Sequence, residues 1–228
     1  ASQLVQVYEL AKSNGVEFAT SALHNAWQFH KNDNYFYNRV KVAKEVEKLI
    51  TQMLKTNKIK NWFRAYLNLG LIKKILGQDR LIKCTAGSDF AFIDPWADVW
   101  ACNVRTDLPL GNLNKQSWED IMNSDMARKA KEKVAACQQN CWMVTTARTA
   151  MRSSRFPMFP KLQPLLWVIE NKIKATFGMN IAFDQYINYN DVKTGLRVQR
   201  TSFLTTPFSS RIQRATDPHY VQRDFVNR

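Results

Sequence analysis

An α/β fold is predicted for this chain: a stretch of repeating βα character followed by a smaller α+β region. Three observations carry the prediction. A helix-period stretch stops at a glycine and passes directly into strand-like alternation over residues 3–22. A β-hairpin pattern occupies residues 81–103. A basic helix over residues 125–136 then delivers a close pair of cysteines.

The first helix is written in Leu4, Val7, Tyr8, Leu10 and Ala11, and Gly15 ends it. "GVEFATSA" then reads as a strand returning to a sheet, so this piece resembles the interior of a βα repeat rather than its beginning. "LHNAWQFHKNDNYF" is the loop after that strand. Ligands gather at the carboxyl ends of parallel strands, which makes the loop, with His24 and His30, one wall of a candidate site. No further metal ligands accompany the two histidines, so ordinary loop or packing roles are expected for them.

Residues 38–56 form the next helix, with Val42, Val46, Leu49, Ile50 and Met53 on one face and charges on the other. "NKIKNWFRAYLNLGLIKKILGQD" is a second helical stretch with an expected break at Gly70 and a stop at Gly77. A first domain is expected over residues 1–80. Within residues 81–103, "DFAFID" and "DVWAC" alternate around a turn at "PWAD", setting Cys84 before the first strand and Cys102 after the second.

Asn114 or Ser117 caps a helix opening on Glu119 and Asp120, with Trp118, Ile121 and Met122 expected on its packed side. A second, small domain is expected over residues 81–143. A basic carboxyl-terminal extension follows over residues 144–228. It begins with a linker or extended wrap to about residue 161, continues in a helix, "PLLWVIENKIKATFG", and then loses any clear period.

The chain has 228 residues and a formal net charge of +14, which admits an anionic partner: nucleic acid, an acidic protein or a lipid headgroup surface. The cations are spread along the chain without a module signature, so nucleic acid is not the favoured partner. No apolar run reaches the roughly 20 residues of a membrane span. The amino end has neither the basic start nor the cleavage site of a secretion signal. The expected location is therefore the cytoplasm.

Four cysteines occur in the pattern C-x17-C-x34-C-x3-C: Cys84, Cys102, Cys137 and Cys141. Only one pair is tight; the hairpin must close the other. Four thiolates saturate either a tetrahedral zinc or a [4Fe-4S] cluster, one cysteine per iron, and spacing does not choose between these and four independent thiols. A thioredoxin-like switch needs two intervening residues at a helix start, and a zinc deaminase needs an H-x-E element. The sequence has neither. A nucleophilic cysteine wants a paired histidine, and only His219 lies downstream.

The stretch from Cys84 through "FAFIDPWADVWAC", Gly111-Asn112 and "SWEDIM" to "CQQNC" resembles the auxiliary-cluster region of radical S-adenosylmethionine enzymes, their SPASM or shorter twitch domain. The resemblance implies one auxiliary [4Fe-4S] cluster held by Cys84, Cys102, Cys137 and Cys141. With no open iron, outer-sphere electron transfer with a substrate radical is its implied role. Trp96 and Trp100 are expected to shield it or simply to pack the hairpin. The same resemblance, more weakly, makes residues 1–80 the end of a partial (β/α) barrel, with Ser21 on the S-adenosylmethionine side.

The family's C-x3-C-x2-C radical motif is not in this sequence. The chain is thus expected to be a carboxyl-terminal part or subunit, not competent alone. A second polypeptide or an amino-terminal region would bring the radical cluster and S-adenosylmethionine, alongside an electron donor and an acidic peptide or protein substrate. Asp94, Asp98, Asp107 and Glu119 are acid or hydrogen-bonding candidates by proximity, each more simply a turn or helix-start residue. The alternative is a nucleic-acid-binding or structural accessory with a four-cysteine metal site. "YINYNDVKTGLRVQR", with Phe183, Tyr186 and Tyr189, would then supply an exposed aromatic stripe.

Overall fold

The computed structural model describes residues 3–21, 38–105, 107–152 and 162–192. Seven helices are described: α1 Leu4–Ser13, α2 Arg39–Lys55, α3 Ile59–Leu76, α4 Trp118–Asn123, α5 Asp125–Ala135, α6 Val144–Arg152 and α7 Leu162–Thr176. The strands β1 Phe92–Ile93, β2 Asp98–Trp100 and β3 Pro109–Asn112 form one antiparallel sheet in the order β1-β2-β3. His24 and His30 lie outside the described residues, as does everything beyond residue 192.

Two apolar cores organise these elements. The larger is helical and takes Leu49, Ile50, Met53 and Leu54 from α2 and Tyr66, Leu69, Ile72, Ile75 and Leu76 from α3. Ala147 and Met151 of α6 and Trp167 and Val168 of α7 complete it. The smaller joins the sheet to α4 and α5 through Val99, Ala101, Leu108, Leu110, Ile121, Ala127, Ala130 and Val134. α6 and α7 therefore bury their apolar faces in the same core as α2 and α3, although the small sheet lies between them in sequence.

Of the apolar positions read from α2, Val46, Leu49, Ile50 and Met53 are buried and Val42 is half-buried, while Ala43 and Leu54 join the buried face. α1 ends at Asn14, followed by Gly15 at φ +68°, and α3 ends at Gly77 at φ +75°, the left-handed stop expected of a glycine. α4 carries a full capping box: the Ser117 hydroxyl accepts from the Asp120 N–H at 3.1 Å, and Asp120 reaches back to the Ser117 N–H. Of the three residues expected on its packed side, Ile121 is buried, Met122 is half-buried and Trp118 is exposed.

Several expectations are corrected. Residues 16–21 are not a strand, and no closed (β/α) barrel exists among the described residues. A strand needs a neighbour for its backbone, and this segment has none among the described residues. Its side chains instead lash it to helices. Phe18 packs edge-on to Tyr8 at 5.5 Å, Glu17 pairs with Lys60 and, at 2.8 Å, with Arg64, and the Thr20 hydroxyl donates to Asn68 Oδ1 at 2.7 Å. Residues 144–152, expected as linker, are helical because Thr146, Ala147, Ala150 and Met151 find a buried face. β3 was not anticipated; it is held by pairing with β2 more than by its own sequence, which begins with proline.

The expected break at Gly70 is absent, and α3 runs through it unbroken. The glycine serves a close approach. A Cβ at residue 70 would lie 2.0 Å from Trp142 Cζ2, so the indole ring occupies the notch that the missing side chain leaves. Trp142 is 3% exposed, and its Nε1–H donates to the Leu67 carbonyl at 2.8 Å.

Candidate metal centre

The hairpin joins β1 to β2 through Pro95, Trp96 and Ala97, with Ala97 at φ +64°. Asp94 builds this turn. Its Oδ1 accepts from the Trp96 N–H at 2.9 Å and the Asp98 N–H at 3.0 Å, and its Oδ2 from Trp100 Nε1–H at 3.2 Å. At the open end of the hairpin, Cys84 and Cys102 are half-buried against the small core. Gly87, at φ +73°, brings the two arms together: a Cβ there would lie 2.9 Å from Ala101 Cβ, beside Cys102.

Cys137 follows α5, its N–H donating to the Val134 carbonyl at 3.1 Å as the helix ends. The next residues are tied to the carboxyl end of α3. Asn140 Nδ2 donates to the Lys73 carbonyl at 3.3 Å and also to that of Gln78, and Trp142 fills the notch at Gly70. Cys141 is thereby fixed between two anchors that belong to the helical core.

The four thiols share one electrostatic neighbourhood. Burial pushes the Cys102 thiol up to about 11; backbone N–H groups of Val104 and Arg105 oppose this, and the charges of Cys141 and Cys84 add to it. Burial also raises Cys141, with Arg80 and Lys74 opposing and Cys84 and Cys137 reinforcing. Among the described residues, no three His, Cys, Asp or Glu side chains converge closely enough to hold a metal ion. The thiols are thus neighbours that sense one another's charge without meeting at a coordination point.

Around them is a cationic shell that sequence reading missed. Arg80 Nη1–H donates to Cys141 Sγ at 3.3 Å, and the Val104 N–H donates to Cys102 Sγ at 3.4 Å. Arg105 lies against Cys137 while forking onto Asp107, Nε to Oδ1 at 3.0 Å and Nη2 to Oδ2 at 2.6 Å. Lys74 is 5% exposed. Burial drives its pKa down to about 8, Arg39 and Arg80 acting in the same direction and the Cys141 thiolate against it. In a chain with 33 lysines and arginines, nothing in the sequence singles out Arg80, Arg105 and Lys74.

The donor set suits an anionic sulfur-ligated group. Four free thiols are present, N–H donors already point at their sulfurs, and Arg80 Nε and Nη2 are buried with no partner. Residues 84–142 match the family model for SPASM, an iron-sulfur cluster-binding domain. This segment is a SPASM-family domain. The match takes in all four cysteines and leaves out Arg80 and, apart from Trp142, the helical core. No curated protein and no solved structure gives a significant match to the chain.

The remaining predicted residues fall in different places. Asp94 is a turn builder, Asp98 accepts from Asn112 Nδ2 at 2.7 Å, Asp107 is the partner of Arg105, and Glu119 sits exposed in the first turn of α4. Trp96 stands on the hairpin tip, opposite the end that carries Cys84 and Cys102 of the SPASM segment. Ser21 is exposed at the end of the lashed segment, and the loop after it lies outside the described residues. Phe183, Tyr186 and Tyr189 pack against the helical core, Tyr186 edge-on to Trp167 at 6.5 Å, so they form no exposed stacking stripe. No helix among the described residues is long and apolar enough to cross a membrane.

Proposed function

We propose that this chain is the carboxyl-terminal part or a subunit of a radical S-adenosylmethionine oxidoreductase or modifying enzyme, in which Cys84, Cys102, Cys137 and Cys141 hold one auxiliary [4Fe-4S] cluster. The supporting observation is the SPASM match, which begins at Cys84 and ends one residue after Cys141, over a site where N–H donors face three of the four thiols. When bound, such a cluster supplies one-electron transfer with a substrate radical. The chain's own residues contribute the rest. The hairpin sets Cys84 and Cys102, α5 and the Trp142 anchor set Cys137 and Cys141, and half-burial limits water at the sulfurs.

In this reading, a second polypeptide or an amino-terminal region provides the radical cluster and the S-adenosylmethionine site, and an external electron donor supplies the reductant. The net charge of +14 makes an acidic peptide or protein the proposed substrate class. Anaerobic isolation with iron, sulfide and zinc quantification tests the metal assignment. About four irons and four labile sulfides per chain are expected, lost in Cys102→Ala. One zinc without sulfide would sink the cluster reading. Reductive cleavage of S-adenosylmethionine by this chain alone would overturn the division of labour.

A further inference from the structure

Arg80 is not part of the SPASM segment. It lies three residues past the glycine that ends α3, four residues before Cys84, on the connection from the helical core to the small domain. Its guanidinium nevertheless reaches the last cysteine of the set, with Nη1 3.3 Å from Cys141 Sγ. The other two nitrogens, Nε and Nη2, are buried and have no hydrogen-bond partner.

A buried guanidinium with most of its donors unused is costly unless an anion completes it. None of the ion pairs found among the described residues includes Arg80, and its charge acts on the cation Lys74 and on the Cys141 thiol. Arg105, by contrast, spends two of its nitrogens on Asp107. One cation at the site is thus neutralised by a carboxylate, while the other keeps its charge and its donors for sulfur.

Resting on the cluster reading above, we propose that Arg80 is a positioning residue of the auxiliary site: its guanidinium fork donates to Cys141 Sγ and to the cluster's sulfides, and so raises the cluster's reduction potential. The physical reason is charge. Reduction adds an electron to an already anionic sulfur cage, and a nearby cation with several N–H donors stabilises the reduced form more than the oxidised one. A guanidinium presents these donors in a plane, whereas an ammonium presents one compact charge, so the two are not equivalent here.

The test uses the full chain after anaerobic iron and sulfide reconstitution, comparing wild type, Arg80→Gln and Arg80→Lys. Iron and sulfide content are measured first. Potentials then follow from titration monitored by electron paramagnetic resonance. Arg80→Gln is expected to need at least a tenfold larger driving ratio for half-reduction, about 59 mV more negative for one electron, with Arg80→Lys in between. A wild type that takes up no iron, or only zinc, would defeat the cluster reading itself. If wild type and Arg80→Gln hold the same iron and titrate together, the cluster reading stands and the role of Arg80 is overturned. If Arg80→Gln fails to fold, Arg80→Lys decides: wild-type potential and cluster lifetime in that variant would likewise overturn the proposal.

Discussion

The helical core and the small sheet domain are built on different physical terms. The first buries large side chains outright: Leu49, Ile50, Met53, Leu54, Tyr66, Leu69, Ile72, Ile75 and Leu76 are all essentially inaccessible. The second closes around nine residues, four of them alanines, and its strands are two to four residues long. Its order comes from directed bonds instead: the Asp94 turn, the Ser117 capping box, the Asn112 contacts to Asp98 and to the Trp96 carbonyl, and the Arg105–Asp107 fork. A core of that size supplies little hydrophobic stabilisation, and small domains of this kind commonly draw on a bound metal. The four thiols lie along the edge of the weaker region, while the anchors of Cys141 and the Arg80 cation come from the stronger one.

The largest expected effect separates the two regions by metal. Chelation of the loaded chain, or Cys102→Ala, should strip hydrogen-exchange protection from the amides of residues 84–136 while α2 and α3 keep theirs. Equal loss in both regions would break the comparison. Uptake should also depend on pH. Burial holds Cys102 as a thiol up to about 11 and raises Cys141 as well, whereas the bound form needs thiolates. Metal binding must release those protons, so affinity in iron titrations should climb steadily from about pH 7 to pH 9, by up to about tenfold per pH unit for each displaced proton. A flat profile would show that these thiols are not ligands.

Next comes the joint between the regions. Trp142→Ala empties a buried indole site and should cost about 3–5 kcal/mol in denaturant unfolding of the helical core. Gly70→Ala attacks the same contact from the other side by pushing a methyl into the ring, at about 1–3 kcal/mol or more. The double variant should be less damaging than the sum, because the smaller side chain leaves room for the methyl. Strict additivity would mean that the notch and the ring are not one contact.

The smallest effects belong to the small domain. Ser117→Ala removes a cap and should lower its stability by about 1 kcal/mol. Ala97→Gly should do the reverse, raising it by about 0.5–1 kcal/mol, since residue 97 sits at φ +64° in the hairpin turn, where a Cβ is unfavourable. Thermal melts of apo and loaded protein read both. A destabilising Ala97→Gly would show that the turn is held by something other than the backbone geometry.

Local rules were legible in the sequence wherever a residue acts on its own neighbours. The apolar period of α2, the glycine stops after α1 and α3, the cap at Ser117 and the alternation around Pro95 all act within a turn or a strand. The four cysteines are not of this class: their spacing left zinc, a [4Fe-4S] cluster and independent thiols open, and only the likeness to SPASM domains grouped them. Residues 16–21 misled for a physical reason: alternation describes a side-chain pattern, but a strand also requires a partner backbone, and Glu17, Phe18 and Thr20 found helices instead.

Local sequence patterns thus wrote the helices α1 to α5 and α7 and the hairpin, whereas the four cysteines were joined as one set by the family likeness and not by their spacing. Tertiary structure alone decided that α6 is a helix and that Gly70 is a socket for Trp142 rather than a break. It also decided that Arg80, from outside the matched domain, aims at Cys141. These depend on pairs 61 to 75 residues apart or on a face that becomes buried only when another helix arrives. Short-range periodicity carries no record of such partners, because the energy that selects them is released only when the two distant surfaces meet and exclude water.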